Sequence, residues 1–467
     1  MKIKTLIIAL IVAINLQAQL TWSSAAEMNF SRNGHTMTGL QDGFLVTGGY
    51  DGFENLKSAE LFIAGSTYDW VLVGDMDSIR FEHKATRYEH AGAEKVLISG
   101  GWNGGSINYY GTQIYDATSQ SFSDGPDMSV GRSGHTSTQL NDGRILLVGG
   151  YSSAGGNTTI VEIFDPATET ISQVASLQTG RSYHTATLLN DGRVLVAGGF
   201  NPDAGFQMNS CEIYDPMLDT WTTVASMTFT RDYHAAVALS GNRVLVSGGR
   251  FFNGTGFDGH TACEMYNVST DSWSAAAFLP EGQSYHQMFN ITTTSADIDC
   301  PGFDWVVLPG GTNESGFGID LTFSPTYFYC VENDTWHERS MALDGRYAYA
   351  AAKSYWEDKL LVSGGFDGSA ELLEIPLVDI TESPGLVGNV VIFPQPVQDM
   401  LQVIWEDFTA REWVVIDLSG RKVMHGNLLN GAQTAMSLNV NALQPGVYIL
   451  HIIDGNNRSA LSRFIKQ

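Results

Sequence analysis

The sequence predicts an all-β chain: a seven-bladed β-propeller closed by its N-terminal strand, followed by a small C-terminal β-sandwich. Three observations predict it. Gly-Gly doublets end apolar runs at Gly48, Gly100, Gly149, Gly198, Gly248, Gly310 and Gly364, at spacings of 52, 49, 49, 50, 62 and 54 residues. A period near 50 residues is that of a four-stranded propeller blade. In a second comb, Trp22, Trp70, Phe122, Ile171, Trp221, Trp273 and Trp336 are each followed ten residues later by Arg32, Arg80, Arg132, Arg181, Arg231, Gln283 and Arg346. Three residues beyond those stand His35, His83, His135, His184, His234, His286 and Tyr349. The third observation is that the period stops after Ile375.

Composition agrees and narrows the function classes. Glycine supplies 50 of 467 residues and charged residues only 16%, which excludes a coiled coil and a disordered chain. Net charge is -25, from 25 Lys plus Arg against 50 Asp plus Glu. Such a chain repels polyanions, because nucleic-acid affinity comes largely from Lys and Arg neutralising phosphates. From Asn389 to the end, six basic residues balance six acidic ones. The negative excess therefore lies before that point, a charge asymmetry that marks a domain boundary.

Taken in chain order, residues 1–18 read as a signal peptide. Lys2 and Lys4 precede an apolar run from Leu6 to Leu16, and Ala18 before Gln19 offers a cleavage point. The run is too short to span a bilayer and nothing downstream is long enough, so the mature chain is expected to be secreted and to carry no transmembrane segment. Residues 19–376 form the propeller. In the unit from 181 to 226, RSYHTATLL is strand one, Asn190, Asp191 and Gly192 make the hairpin turn, RVLVAGG is strand two, SCEIYDP strand three and TWTTVASM strand four. Glycines ending strand two leave room for bulky neighbours, with Tyr214 and Trp221 as the natural fillers. The chain opens on a strand-four segment, TWSSAAEM around Trp22, and its last unit has GRYAYAAA, KLLVSGG and AELLEI but no strand four. The N-terminal strand is expected to complete that blade, closing the ring and hiding two edges. Residues 377–388 are a linker, and 389–467 alternate short strands with Gly turns, as a small β-sandwich does.

The doublets, the strand-three aromatics (Phe62, Tyr115, Phe164, Tyr214, Tyr266, Tyr329) and the strand-four Trp resemble the kelch-repeat propellers, including the secreted kelch proteins related in fold to galactose oxidase. The resemblance covers residues 20 to about 376. Phe122 and Ile171 for Trp, Gln283 for Arg and Tyr349 for His are its departures. Residues 389–467 look like the type A C-terminal sorting domain of type IX secretion substrates. That resemblance is carried by FPQPV with Pro394 and Pro396, the DLSGRKV hairpin around Gly420, the GVYIL strand with Gly446 and Tyr448, and the terminal RFIK with Lys466. Gln395 stands where that family usually has Asn. The likeness implies recognition by the type IX secretion machinery at the outer membrane of a Gram-negative cell. Export then runs through the periplasm to the cell surface or beyond, usually with removal of the domain.

The repeated polar residues read as structural. Histidines placed once per blade form a ring, whereas a metal site needs ligands converging at about 2 to 2.5 Å. Glu60, Glu162, Glu212, Glu264 and Glu371 sit two residues before the strand-three aromatic position, and comb Arg and Glu are expected to pair. Cys211 and Cys263 occupy equivalent strand-three positions and are expected to be buried thiols. Cys300 and Cys330 fall at one end of the sixth blade, where a disulfide would pin the insertion that stretches this unit to 62 residues. Galactose oxidase implies a copper site of two Tyr and two His, one Tyr carrying a thioether to Cys. No residue-by-residue match exists here, and His90, His260 and His337 are scattered. Walker, HExxH, GxSxG and SxDxGxTW patterns are absent.

The loops after strand two emerge on one face and are rich in aromatic, amide and acidic groups. Tyr50, Trp102, Tyr151, Phe200 and Phe366, directly after the doublets, are expected to pack against the next blade. The non-repeating residues Tyr109, Tyr110, Phe206, Phe251, Phe252, Phe257, His260 and Phe317 are the binding candidates. Aromatic rings there would stack on sugars or fill partner pockets. No cofactor is implied; acidic loops could hold calcium, but no specific motif supports it. Two functions follow: a secreted or surface-displayed scaffold binding protein or glycan, or an extracellular carbohydrate-directed enzyme, either a galactose-oxidase-like oxidase or a glycoside hydrolase.

Overall fold

A computed structural model describes residues 20, 22–63, 69–105, 107–292, 304–315, 318–323, 325–339, 349–354, 359–365, 368–375, 390–393, 397, 399–405, 410–417, 422–427, 435–444, 446–454 and 459–466. The chain divides into two compact units, Met1–Ile375 and Pro376–Gln467. The signal-peptide and linker segments read from the sequence lie outside the described residues.

Among the described residues of the first unit, seven antiparallel sheets of four strands recur, and the only helix is a 3-10 turn at Pro202–Ala204. The 185–224 sheet is representative, with strands Thr185–Leu188, Val194–Ala197, Cys211–Asp215 and Thr220–Val224. Tyr214 pairs with Val194 on one side and Trp221 on the other, and its ring lies 5.0 Å from that of Trp221. Alternation along a strand decides where each side chain goes. Val194 and Val196 enter the core shared with Leu146 and Val148, whereas Leu195 and Ala197 enter the core shared with Val244 and Val246. Second strands are therefore buried on both faces.

First strands of successive sheets touch one another, Thr36–Leu40 lying against both Lys84–His90 and Ala350–Lys353. Gln287 ties the sixth sheet to the last: its amide donates to Tyr349 Oη at 3.1 Å, and its Oε1 accepts from the Ala351 amide at 2.8 Å. The last sheet has the order Trp22–Ala25, Ala370–Glu374, Lys359–Ser363, Ala350–Lys353, with Trp22 opposite Leu373. The N-terminal strand is thus the outer strand of the sheet built from the far end of the unit.

The glycine doublets are explained by different neighbours from those the sequence indicated. Gly198 and Gly199 have φ of 61° and 102°. A Cβ on Gly198 would stand 2.7 Å from Arg231 O and 2.8 Å from His234 Cε1, both in the following unit. The doublet makes room for the neighbouring Arg-His segment and not for Tyr214 and Trp221. Trp221 instead reaches outward, its indole N–H donating to Ala175 O of the preceding sheet at 2.8 Å.

Cys211 and Cys263 are buried free thiols, and burial pushes both up to about 12. Cys330 is buried and disulfide-bonded. Cys300 lies outside the described residues.

The second unit has a sheet of Val390–Phe393, Met400–Trp405 and Ala435–Asn439, and another of Lys422–Asn427, Ala410–Asp417, Gly446–Asp454 and Ser459–Lys466. Leu401, Val403, Trp405 and Leu438 from the first share one core with Val415, Leu450, Ile452 and Phe464 from the second. Tyr448 stacks on Phe464 at 5.5 Å and donates its hydroxyl to Gln444 O at 2.9 Å. Lys466 is buried and pairs in parallel with Val397. Gly446 opens the Gly446–Asp454 strand. Pro394, Pro396 and Gly420 lie outside the described residues.

Candidate functional site

The repeated polar residues are consumed by the framework. Arg32 pairs with Glu60 at 2.6 Å, Arg181 with Glu212 at 2.8 Å and Arg231 with Glu264 at 2.9 Å, and Arg132 pairs with Glu162. Each pair is buried within one sheet. Each comb histidine meets a hydroxyl of the preceding sheet: His83 with Thr47 at 2.8 Å, His135 with Ser99 at 2.9 Å, His184 with Thr136 at 3.1 Å, His234 with Thr185 at 2.9 Å and His286 with Ser247 at 2.8 Å. Burial keeps these rings neutral, pushing His83 and His286 down to about 3. Among the described residues, no three His, Cys, Asp or Glu gather as a metal would require.

The departures from repetition converge elsewhere. The residue before each comb histidine has left-handed φ: Gly34 59°, Glu82 53°, Gly134 61°, Tyr183 54°, Tyr233 48° and Tyr285 54°. Their amides and carbonyls link around the axis, Glu82 N to Gly34 O at 3.2 Å, Tyr183 N to Gly134 O at 2.8 Å, Tyr233 N to Tyr183 O and Tyr285 N to Tyr233 O both at 3.1 Å. Four of these six positions carry large side chains where glycine would be unstrained, at about 1 kcal/mol or more each. Gly134 shows what the small positions do: its absent Cβ would fall 2.6 Å from the Tyr183 ring.

The four large side chains form one cluster. Tyr183 and Tyr233 stack at 4.2 Å, and Tyr233 and Tyr285 lie 3.9 Å apart. Both Tyr183 and Tyr233 donate to the Glu82 carboxyl, at 3.1 and 3.4 Å. Burial raises the pKa of Glu82, and these hydroxyls oppose the rise. Arg250 sits over Tyr233 at 4.6 Å and Phe257 at 4.5 Å, and donates to Asp232 Oδ1 at 2.8 Å and to Tyr285 Oη at 3.1 Å.

Aromatic hairpins extend this cluster outward. Phe252 lies 5.6 Å from Phe257 and 6.5 Å from Phe206, which in turn lies 6.2 Å from Phe200. Phe206 is 53% exposed and Phe252 50%. Of the sequence candidates, Phe206, Phe252 and Phe257 are thus brought together beside the rim. Phe251 stacks on His260 at 4.2 Å, and His260 hydrogen-bonds with Thr230 O at 3.1 Å, burial lowering it to about 4. Tyr109 lies under Arg80 at 4.8 Å, a framework role, while Tyr110 is exposed. Phe317 lies outside the described residues. Tyr50 and Trp102 each donate to a carbonyl of their own loop, Gly52 O at 2.8 Å and Gly105 O at 2.7 Å. Tyr151 is exposed, Phe200 joins the aromatic series, and Phe366 lies outside the described residues.

Sequence reading missed Glu82, Tyr183, Tyr233, Tyr285, Asp232 and Arg250. The signal was present: between the recurring comb arginine and histidine, the position before the histidine carries Gly34, Glu82, Gly134, Tyr183, Tyr233 and Tyr285.

Residues 34–249 match the KLHDC2/KLHL20/DRC7 Kelch-repeats domain, and residues 391–467 match the Secretion system C-terminal sorting domain. Among solved structures, one described as a novel fungal alcohol oxidase with catalytic diversity among the AA5 family, in complex with copper, is similar at 14% identity and a TM-score of 0.63. That likeness covers 96% of this chain and 99% of the oxidase. The structure of YjhT is similar at 13% identity and a TM-score of 0.51, covering 68% of this chain and 99% of YjhT. No curated protein matches the chain. At these identities the structures speak for the fold alone. The described residues do not fit a copper centre, since the comb histidines are engaged with hydroxyls and both free cysteines lie inside sheets. The chain carries a kelch-repeat domain and a secretion sorting domain, and the latter directs it through type IX secretion to the cell surface or the medium. No helix among the described residues is long and apolar enough to cross a membrane.

Proposed function

We propose that this exported kelch-repeat protein is a non-catalytic recognition module whose ligand, a glycan or a protein segment, docks on the axial rim and the aromatic hairpins beside it. One observation carries the reading: the residues that break the repeat, from Glu82 through the tyrosines and Arg250 to Phe206 and Phe252, form one continuous surface of aromatic faces and polar groups. Such a surface, with apolar rings and a few oriented donors and acceptors, is the usual make-up of a ligand site. The comb residues, by contrast, are engaged within the framework, the arginines with glutamates and backbone carbonyls and the histidines with hydroxyls. The reading requires no cofactor.

A glycan array and metal analysis on the purified protein test it. Phe206→Ala with Phe252→Ala is expected to reduce binding at least about tenfold, since each ring contributes on the order of 1 kcal/mol. Their exposure predicts an unchanged melting temperature. Tightly bound copper with peroxide release, or hydrolysis of an arrayed glycan, would replace this reading with the catalytic one.

A further inference from the structure

The two ends of the first unit differ in charge. Near the start of strand two, at the end away from the glycine doublets, five sheets place a cation: Lys95, Arg144, Arg193, Arg243 and Lys359. At the doublet end the balance is reversed. There the described connections between strands expose Glu27, Glu54, Asp127, Asp203 and Glu281. Among the described residues of these connections, the cations besides the buried comb arginines are Lys57 and Arg250. Both are already paired, Lys57 with Asp75 at 3.3 Å and Arg250 with Asp232 at 2.8 Å. The negative excess of the chain, which lies before Asn389, is therefore least offset at the end that carries the rim.

The aromatic hairpins stand inside this field. Phe206 follows Asp203 by three residues, and Asp203 is exposed in the 3-10 turn Pro202–Ala204. On the neighbouring hairpin Phe252 pairs with Phe257 and Phe251 with Asp258, whose carboxylate accepts from Asn253 Nδ2 at 2.7 Å. The rings of Phe206 and Phe252 lie 6.5 Å apart at an angle of 30°, and both are exposed. That hairpin already holds one cation of its own: Arg250 lies 4.5 Å over the Phe257 ring, with the Asp232 carboxylate beside it. A ring face next to a carboxylate is the combination that binds guanidinium and ammonium groups.

We propose that the ligand of this surface is a protein segment bearing lysine or arginine, whose side chains lie on Phe206 and Phe252 while the carboxylates of the doublet end attract it. The inference rests on the recognition reading above and deepens it by naming the chemistry of the partner. A neutral sugar gains nothing from the field, and an acidic glycan is repelled by it. Complementary charge speeds the encounter and excludes like-charged partners. The methylene stem of each Lys or Arg also covers apolar surface while its head stays in water.

Fluorescence anisotropy with the full-length protein and a labelled alternating Lys-Gly peptide tests the proposal. An alternating Glu-Gly peptide and oligomers of glucose and of glucosamine serve as competitors. The Lys-Gly peptide is expected to bind and the Glu-Gly peptide not to compete, and raising NaCl from about 50 to about 300 mM should weaken binding at least about tenfold. Phe206→Ala with Phe252→Ala should weaken it at least about tenfold. Asp203→Lys should weaken it at least about fivefold. Asp42→Lys, at an exposed acid of the opposite end, should change it by less than about twofold. All three variants are expected to keep the melting temperature. Absent binding, or equal effects of Asp203→Lys and Asp42→Lys, overturns the proposal. A glucose oligomer that binds and is lost with the two phenyl rings overturns it while leaving the recognition reading intact. If the phenyl variant binds every ligand as the wild type does, both fall together. A glucosamine oligomer that outcompetes the peptide overturns the choice of a protein segment.

Discussion

Arg32 and Glu60 meet at 2.6 Å with both side chains fully buried. The same carboxylate accepts the backbone amides of Asn29 at 2.7 Å and Phe30 at 3.1 Å, while the guanidinium donates to Gly48 O at 2.9 Å. One ion pair therefore joins the segment entering a sheet, the end of its second strand and its third strand. Glu162, Glu212 and Glu264 repeat the arrangement on the amides of Ser129, Gln178 and Thr228. A buried pair of this kind is costly to break from one side, because the remaining charge has no partner.

Arg181→Met leaves Glu212 in that position. We expect a loss of about 3 to 5 kcal/mol in urea unfolding. The double variant Arg181→Met, Glu212→Leu should recover part of it, and unchanged unfolding of the single variant would refute the framework role.

Arg80 is the exception. Gln113 stands at the glutamate position of its sheet and accepts the Asp77 amide at 3.2 Å. Arg80 donates to Gly100 O and Gly111 O, both at 2.9 Å, but the carboxylate that pairs with it is the exposed Asp77 at 3.9 Å, and its guanidinium lies over the Tyr109 ring. Gln113→Glu keeps the acceptor and supplies the missing charge, so it should stabilise the protein by about 1 kcal/mol or more. A lower urea midpoint for this variant would contradict the assignment.

The comb histidines set an acid limit. Free histidine titrates near about 6.5, whereas burial holds His83 and His286 at about 3. Between these values the unfolded chain binds protons that the folded one does not. Stability present above the unfolded pKa is therefore lost as the pH falls, at up to about 1.4 kcal/mol per pH unit for each histidine. Glu82 and Asp232, both raised by burial, act in the opposite direction. Urea midpoints at pH 7, 6 and 5 should fall steadily; a flat series would count against neutral buried rings.

Cys330 is expected to be bonded to Cys300, and the link should appear as one peptide pair in a non-reduced digest. Dithiothreitol should then lower the melting temperature, since a link closing a loop of this size contributes about 3 kcal/mol. Two free thiols at these positions would remove the pairing.

How much of this was legible in the sequence follows from what repeats. The glycine doublets and the Trp, Arg and His combs each mark one contact reused from sheet to sheet, so spacing alone locates the strands, four Arg–Glu pairs and the pairing of Trp22–Ala25 with Ala370–Glu374. The rim was not legible in the same way. Tyr183 and Tyr233 lie 101 and 151 residues beyond Glu82, and they meet only because each occupies one left-handed position near a common axis. The loop aromatics were half legible: Phe206 and Phe252 are exposed, but nothing local distinguishes them from Tyr109, whose ring lies against Arg80.

The hydroxyl of Ser23 donates to Leu372 O across 349 positions of the chain. That contact belongs to the sheet assembled from both extremities of the first unit. No partly synthesised or partly translocated chain possesses it, so the ring stays open, with two unpaired edges, until the final strands have emerged. The entropy of joining such distant segments makes this closure a late step in folding. The compact state of the first unit is therefore out of reach until the chain as far as Ala370–Glu374 is available to pair with Trp22–Ala25.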